Sequence, residues 1–207
     1  MRRRAFITRG LIFVPAIVGL ASKARAAVLI NPFLHGPGLR DSDTFPYSDG
    51  NLTTVSSSKW TQCTIGAPGA VAVVSGQIHN GGNENAALIT TWAGSTTLQY
   101  SESLYVSGDY GGPTIFNDGA STFYLCDLAA GAVKLYKVVS GSFSILQSGG
   151  SVTAGHTYRI RVQTAGTIVI SDNGSDIITF PDSSITSGKP GIRCWGNYLD
   201  DWVAGDF

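Results

Sequence analysis

The chain has 207 residues with 14 Lys/Arg and 14 Asp/Glu, a formal net charge of zero. Six of the basic residues fall within the first 26, so the remaining 181 hold eight basic against 14 acidic groups, a net charge of −6. That balance excludes the basic stripe by which a duplex-binding protein displaces counterions, so nucleic acid is not an expected partner.

Residues 1–26, "MRRRAFITRGLIFVPAIVGLASKARA", join a basic start, an apolar stretch of about 12 residues and a small-x-small ending, the layout of an export signal cleaved after Ala26. The apolar stretch is shorter than the ~20 residues of a membrane span, so no stable span is expected. Arg3 and Arg4, followed by Phe6 and Ile7, resemble a twin-arginine leader, and Lys23 and Arg25 beside the cleavage point suit that route. Arg2 stands where such leaders usually carry Ser or Thr. The other reading is an uncleaved amphipathic or buried N-terminal helix. With cleavage, the expected localisation is periplasmic or secreted, and residues 27–207 form one domain large enough to bury a core.

Residues 31–60, rich in Pro, Gly, Asp and Ser, read as an irregular segment leading into that domain. From about Ala70 onward, short β-branched and aromatic runs alternate with Gly, Ser and Asn turns: "AVAVVSGQI", "ALITTWA", "LQYSESLYV", "STFYLCDL", "AVKLYKVV", "FSILQS", "TYRIRVQ", "TIVISD" and "DIITF". No stretch shows sustained helical periodicity, so the domain is all-β. In "TYRIRVQ", Tyr158, Ile160 and Val162 fall on one face and Arg159, Arg161 and Gln163 on the other. Asn173-Gly174 accepts the positive φ of a two-residue hairpin turn, which would set Ile170 opposite Ile177 and Ile168 opposite Thr179. Ser140-Gly141 marks a second hairpin. This many strands must form two packed sheets or a closed barrel. Cys63, Cys126 and Cys194 lack the spacing of a zinc cluster; one pair could bridge in an oxidising compartment, while Cys126, inside a strand, reads as a buried free thiol.

"DTFPYSDGNLTTVSSSKWTQ", followed in order by "LYKVVSGSF", "GHTYRIRVQTAGTIVISDNG", "SGKPGI" and "DDWVAGDF", resembles bacterial or phage-encoded concanavalin A-like, laminin-G-like jelly-roll domains over about residues 43–207. The resemblance implies a two-sheet antiparallel sandwich whose closing strand, carrying "DDW", pairs near the first. It implies that Asp201 is architectural or metal-linked rather than catalytic. Calcium in such domains takes several oxygen ligands, and Asp43 with Asp200 or Asp201 would supply them if the terminal strands meet. The alternative is an Asp that accepts backbone N–H groups to fix a strand end.

Glycosidases need two carboxyl groups facing the scissile bond. After residue 26 the chain has only two glutamates, Glu84 in a polar loop and Glu102 in "YSESLY", and no run with an acid at every second position. There is no "GxSxG" elbow, and His35, His79 and His156 lie in or beside turns. Sugar recognition asks instead for flat rings against the apolar face of a pyranose, with polar groups for its hydroxyls. "RCWGNYLDDW" supplies Trp195, Asn197, Tyr198 and Asp200 beside Arg193, and Arg159 and Arg161 either border the same surface or keep an exposed sheet soluble; the competing reading puts Trp195 and Trp202 in the core. The sequence thus reads as a non-catalytic binder of a glycan or cell-surface polysaccharide. A phage virion structural, decoration or receptor-binding protein and a hydrolase or lyase with a reduced site remain as alternatives.

Overall fold

A computed structural model describes residues 40–65, 71–81, 85–89, 91–129, 131–163 and 166–206. The leader, His35 and Glu84 lie outside the described residues. Among the described residues no helix is long and apolar enough to cross a membrane.

The described residues form sixteen strands in chain order: β1 (Arg40–Asp43), β2 (Gly50–Asn51), β3 (Trp60–Thr64), β4 (Ala72–Val74), β5 (Gln77–His79), β6 (Asn85–Ile89), β7 (Gln99–Gly108), β8 (Gly111–Asn117), β9 (Phe123–Ala129), β10 (Ala132–Val139), β11 (Ser142–Gly149), β12 (Thr157–Gln163), β13 (Thr167–Asp172), β14 (Ser175–Pro181), β15 (Lys189–Cys194) and β16 (Asn197–Asp206). One helical turn, α1 (Leu52–Val55), follows β2 and is capped by Asn51, whose side chain accepts the Thr53 amide. Sheet A has the order β14-β13-β12-β7-β16-β5-β4-β2, with β1 beside the C-terminal half of β16; sheet B has the order β11-β10-β9-β8-β15-β6-β3. All described pairings are antiparallel, and the fold is a two-sheet antiparallel jelly-roll sandwich.

The core lies between the sheets. β12 follows its sequence pattern: Tyr158, Ile160 and Val162 are buried inward while Arg159 and Arg161 turn outward. Trp60 and Trp202 meet edge to face at 4.8 Å in that core. The Trp202 indole donates to Ser101 Oγ (2.9 Å), which donates to the Gly191 carbonyl of the opposite sheet (2.9 Å), so one hydrogen-bond relay ties the two sheets together.

Two sequence expectations are corrected. Ile170 faces Ile178 and Ile168 faces Phe180, one residue beyond the expected register, because the ladder shifts between Ile170 and Ser171 after the Asn173-Gly174 turn. Within residues 31–60, the described part is not wholly irregular: between loops it contributes β1, β2, α1 and the first residue of β3, and Arg40–Asp43 pair with Trp202–Gly205. The acidic and polar composition of β1 hides a strand whose partner is supplied from the far end of the chain.

Candidate functional site

The chain passes directly between the sheets at two turns that lie side by side. Asp109-Tyr110 carries it from β7 to β8, and Trp195-Gly196 carries it from β15 to β16. Their backbones interlock: the Trp195 amide donates to the Tyr110 carbonyl (2.9 Å), the Tyr110 amide to the Leu128 carbonyl (3.1 Å) and the Gly196 amide to the Asn80 carbonyl (2.9 Å). Gly108, at φ 89°, sits so close to the second turn that a Cβ would lie 2.3 Å from the Gly196 carbonyl oxygen, a position open only to glycine. Tyr110 takes φ 61°, unusual for an aromatic residue, and this local strain is held by the neighbouring turn. The result is a pair of exposed rings, Tyr110 (42%) and Trp195 (37%), with centroids 5.2 Å apart.

Beneath them on the outer face of sheet B lies a cleft of about 180 Å³ lined by Asp127, Tyr136, Phe143, Arg193 and Trp195. Its floor is an ion pair: Arg193 Nη1 lies 3.2 Å from Asp127 Oδ1, and the two side chains are 3% and 2% exposed. Asp127 Oδ1 also accepts the Gly111 amide at 2.8 Å. The guanidinium is sandwiched between aromatic rings, 4.8 Å from the Phe143 centroid and 5.5 Å from that of Trp195. β15 and β11 are four strand spacings apart, about 19 Å in a flat sheet. Direct contact of Arg193 with Phe143 across that span shows that the outer face of sheet B is cupped. Burial, with the Asp127 carboxylate adding to it, raises the pKa of the Tyr136 phenol, which therefore stays a neutral hydrogen-bond donor at ordinary pH.

The residues proposed from sequence are distributed unevenly around this site. Trp195 forms its wall. Asn197 is fully buried behind it, where Oδ1 accepts the Trp195 amide (3.3 Å), so its role is to position the ring-bearing turn. Tyr198 lies on sheet A and stacks on His79 at 4.0 Å with an interplanar angle of 4°, while His79 Nδ1 contacts the Asn197 carbonyl at 3.1 Å. Arg159 and Arg161 do not join Trp195. Arg159 pairs with Glu102 and lies 4.8 Å over the Tyr100 ring, and Arg161 forms a bidentate pair with Asp176 at 3.0 and 2.8 Å plus a bond to Ser171. Both sit on the outer face of sheet A, Arg159 level with Glu102 and Arg161 with Tyr100, and so about 20 and about 26 Å along β16 from Asn197.

Among the terminal acids, both oxygens of Asp43 are engaged: Oδ1 accepts the Phe45 amide (2.9 Å), and Oδ2 accepts Tyr47 Oη (2.7 Å) and Trp60 Nε1 (2.8 Å). Asp200 is buried and its Oδ1 accepts the amide of half-buried Asp201, which takes φ 45° where β16 shifts register. Among the described residues no group of three or more His, Cys, Asp or Glu side chains is arranged to hold a metal ion. Cys63, Cys126 and Cys194 are free and buried, and Trp202 belongs to the core.

Sequence reasoning missed Asp127, Tyr136, Phe143 and Tyr110 as site residues. They come from four separate segments, and only the cupping of sheet B brings them together. A signal was nevertheless present: Asp127 is an acid inside the otherwise apolar strand "FYLCDLA", and a buried charge of that kind requires a partner.

No protein-family model and no curated protein matches the chain. Solved structures do. A carbohydrate-binding module of Bacillus subtilis, CBM66, aligns over 69% of this chain and 91% of its own at 17% identity with a TM-score of 0.57. The kappa-carrageenase of Pseudoalteromonas carrageenovora aligns over 85% and 98% at 11% identity, with a TM-score of 0.49. At these identities the likeness is one of fold.

Proposed function

We propose that the protein is an exported, non-catalytic glycan binder that seats a sugar ring in the cleft at Trp195. The observation that carries this reading is a buried guanidinium–carboxylate pair set under two exposed aromatic rings. Rings cover the apolar face of a pyranose or furanose, and Arg193, Asp127 and the Tyr136 phenol offer donors and acceptors for its hydroxyls. The volume is below the range of drug-sized pockets, which suits one sugar unit rather than an extended ligand. Only one of the lining residues, Asp127, is a carboxylate, whereas glycoside hydrolysis needs two across the scissile bond. The shared fold with a carbohydrate-binding module is in keeping with this reading. Export is supported by the three-part layout of residues 1–26, and intact mass of the exported product tests it, with loss of 26 residues expected.

The binding test uses an array of glucans, galactans and fructans from disaccharide to polymer, run beside melting curves. The parent is expected to bind clustered or polymeric glycans first, since a shallow site has modest affinity and linked sugars raise it. Trp195→Ala and Tyr110→Ala should lose that binding while melting within a degree or two of the parent. Absence of glycan binding by the parent, or undiminished binding by both variants, overturns the reading.

A further inference from the structure

A second cavity, of about 500 Å³, opens on sheet B away from the first. Thr61 of β3, Thr96, Asn117 at the end of β8, Asp118, Ser187 and Lys189 line it. Lys189, Gly191 and Arg193 alternate onto one face of β15, which places Lys189 about 13 Å from Arg193 along the strand. Thr61 precedes Cys63 by one alternation, and Cys63 packs with Phe123 and Leu125 in the apolar cluster of the outer face. The two cavities therefore sit at opposite ends of the same face, with that apolar cluster between them.

Asn117 is the group that points to a ligand. It is 2% exposed, and its Oδ1 is used: it accepts the Gly119 amide at 3.0 Å and lies 3.5 Å from Cys63 Sγ. Its Nδ2 is buried and has no hydrogen-bond partner. Buried amide groups are nearly always paired in folded proteins, so an unpaired one on a residue that lines an open cavity points to an acceptor supplied from outside. Thr61, Thr96 and Ser187 add hydroxyls that both donate and accept. Asp118 is turned to a local task, with Oδ1 accepting the amides of Ala120 and Thr122. A donor without a partner among amphoteric hydroxyls suits a polyhydroxylated ligand better than a cation or an apolar one.

We infer that this cavity is a second sugar subsite, and that the protein prefers an oligosaccharide long enough to engage both ends of the face over its own monosaccharide unit. The inference rests on the glycan reading of the Trp195 cleft. Two weak sites joined by one ligand gain apparent affinity without any new contact, provided the ligand can span them.

The test is a titration of the ¹⁵N-labelled parent with di- and hexasaccharides of β-glucan, galactan and fructan. The Trp195 indole and Asn117 side-chain amide signals are followed, each assigned from its loss in Trp195→Ala and Asn117→Asp. Asn117→Asp keeps the Oδ1 acceptor and replaces only the unpaired donor; Thr61→Val is a second variant, at an exposed position, that does not burden folding. The recognised hexasaccharide is expected to shift both signals. Both variants should bind it about tenfold more weakly while retaining the parent's affinity for the disaccharide. If the hexasaccharide moves Trp195 but leaves the Asn117 amide in place, or both variants bind it like the parent, the subsite is overturned and the glycan reading stands. A shift at Asn117 with none at Trp195 confirms the cavity as a sugar site and overturns the Trp195 cleft; no shift from any probe overturns both.

Discussion

A single carboxylate secures the first described strand to the core. Asp43 accepts the Phe45 amide, which lets Phe45 take φ 48° and turn inward, and it holds the Tyr47 hydroxyl and the Trp60 indole, with Lys59 Nζ at 3.6 Å. Asp43→Ala should lower stability by about 3 kcal/mol, since it leaves buried donors unpaired, and urea unfolding would measure it. Because these oxygens are filled by protein donors, chelator should leave the melting temperature unchanged; a fall reversed by calcium would show a metal role for Asp43, Asp200 and Asp201. The segment opening "DTF" marked this residue in the sequence, but its partner Trp60 lies 17 positions away and could not be assigned from spacing. At the site, Arg193→Ala should cost about 3–5 kcal/mol because it removes the cation beside the buried Asp127 carboxylate. Trp195→Ala should not, and that contrast separates the floor of the cleft from its wall. Trp195 was singled out in the sequence as a flat ring among polar groups, and it stands exposed in a turn; Arg159 and Arg161 lie away from it, because strand alternation reveals the face but not the ion pairs made there.

Strands made of unbroken β-branched and aromatic runs were readable from sequence, and those interrupted by Gly and Pro were not. β10, β12 and β13 begin and end where "AVKLYKVV", "TYRIRVQ" and "TIVISD" do. β8, "GGPTIFN", reads as a turn because of its Gly-Gly-Pro opening, yet its seven residues are all buried. Its first residue must be glycine for a packing reason: a Cβ on Gly111 would lie 2.4 Å from the Arg193 carbonyl oxygen. β15, "KPGIRC", is hidden in the same way by Pro190 and Gly191. The segment between β14 and β15 is fastened to sheet B by Asp182, whose carboxylate accepts from Tyr124 Oη (2.7 Å) and Lys137 Nζ (3.0 Å) as well as from Ser184. Burial opposes ionisation of Asp182, but these donors outweigh it and hold its pKa well below the usual carboxylate range. On the β14 side, the Arg161 guanidinium lowers that of Asp176. A depressed folded-state pKa contributes stability above the unfolded value, so this contribution should be full at neutral pH and be lost as pH falls below about 4. Melting temperatures between pH 7 and pH 2.5 should show that fall, and Asp182→Asn should flatten it.

Across the whole molecule, the three thiols report on the integrity of the sandwich. Burial pushes the Cys63 and Cys194 thiols up to about 12 and raises that of Cys126 well above its ordinary value. All three should resist alkylation at pH 8 in the folded protein and react together on unfolding, since local opening does not reach both the core and the outer-face cluster. One thiol labelled ahead of the others would show that part of the sandwich opens independently. The architecture itself was legible from sequence: strand number required two packed sheets or a closed barrel, and the resemblance carried by the motif order pointed to the jelly roll. The cupping of sheet B was not, because it arises from the accumulated twist and bulges of strands whose neighbours are far apart in the chain, including the extra residue, Leu146, that β11 carries opposite Leu135 and Tyr136.

The pairing of β1 with β16 has one more consequence. Arg40 and Gly205 are direct partners in adjacent strands, so the two ends of the described domain lie about 5 Å apart. A circular permutant that joins Asp206 to Arg40 through a few glycines, with its new ends opened at the exposed Asn173-Gly174 turn, should keep the fold. In such a permutant β1 and β16 become a single hairpin, and a contact that now closes the longest loop in the chain becomes its most local one. Refolding should then be faster than in the parent, as expected where contact order falls. The Trp195 cleft would be unchanged, since none of its residues adjoins the cut or the new join.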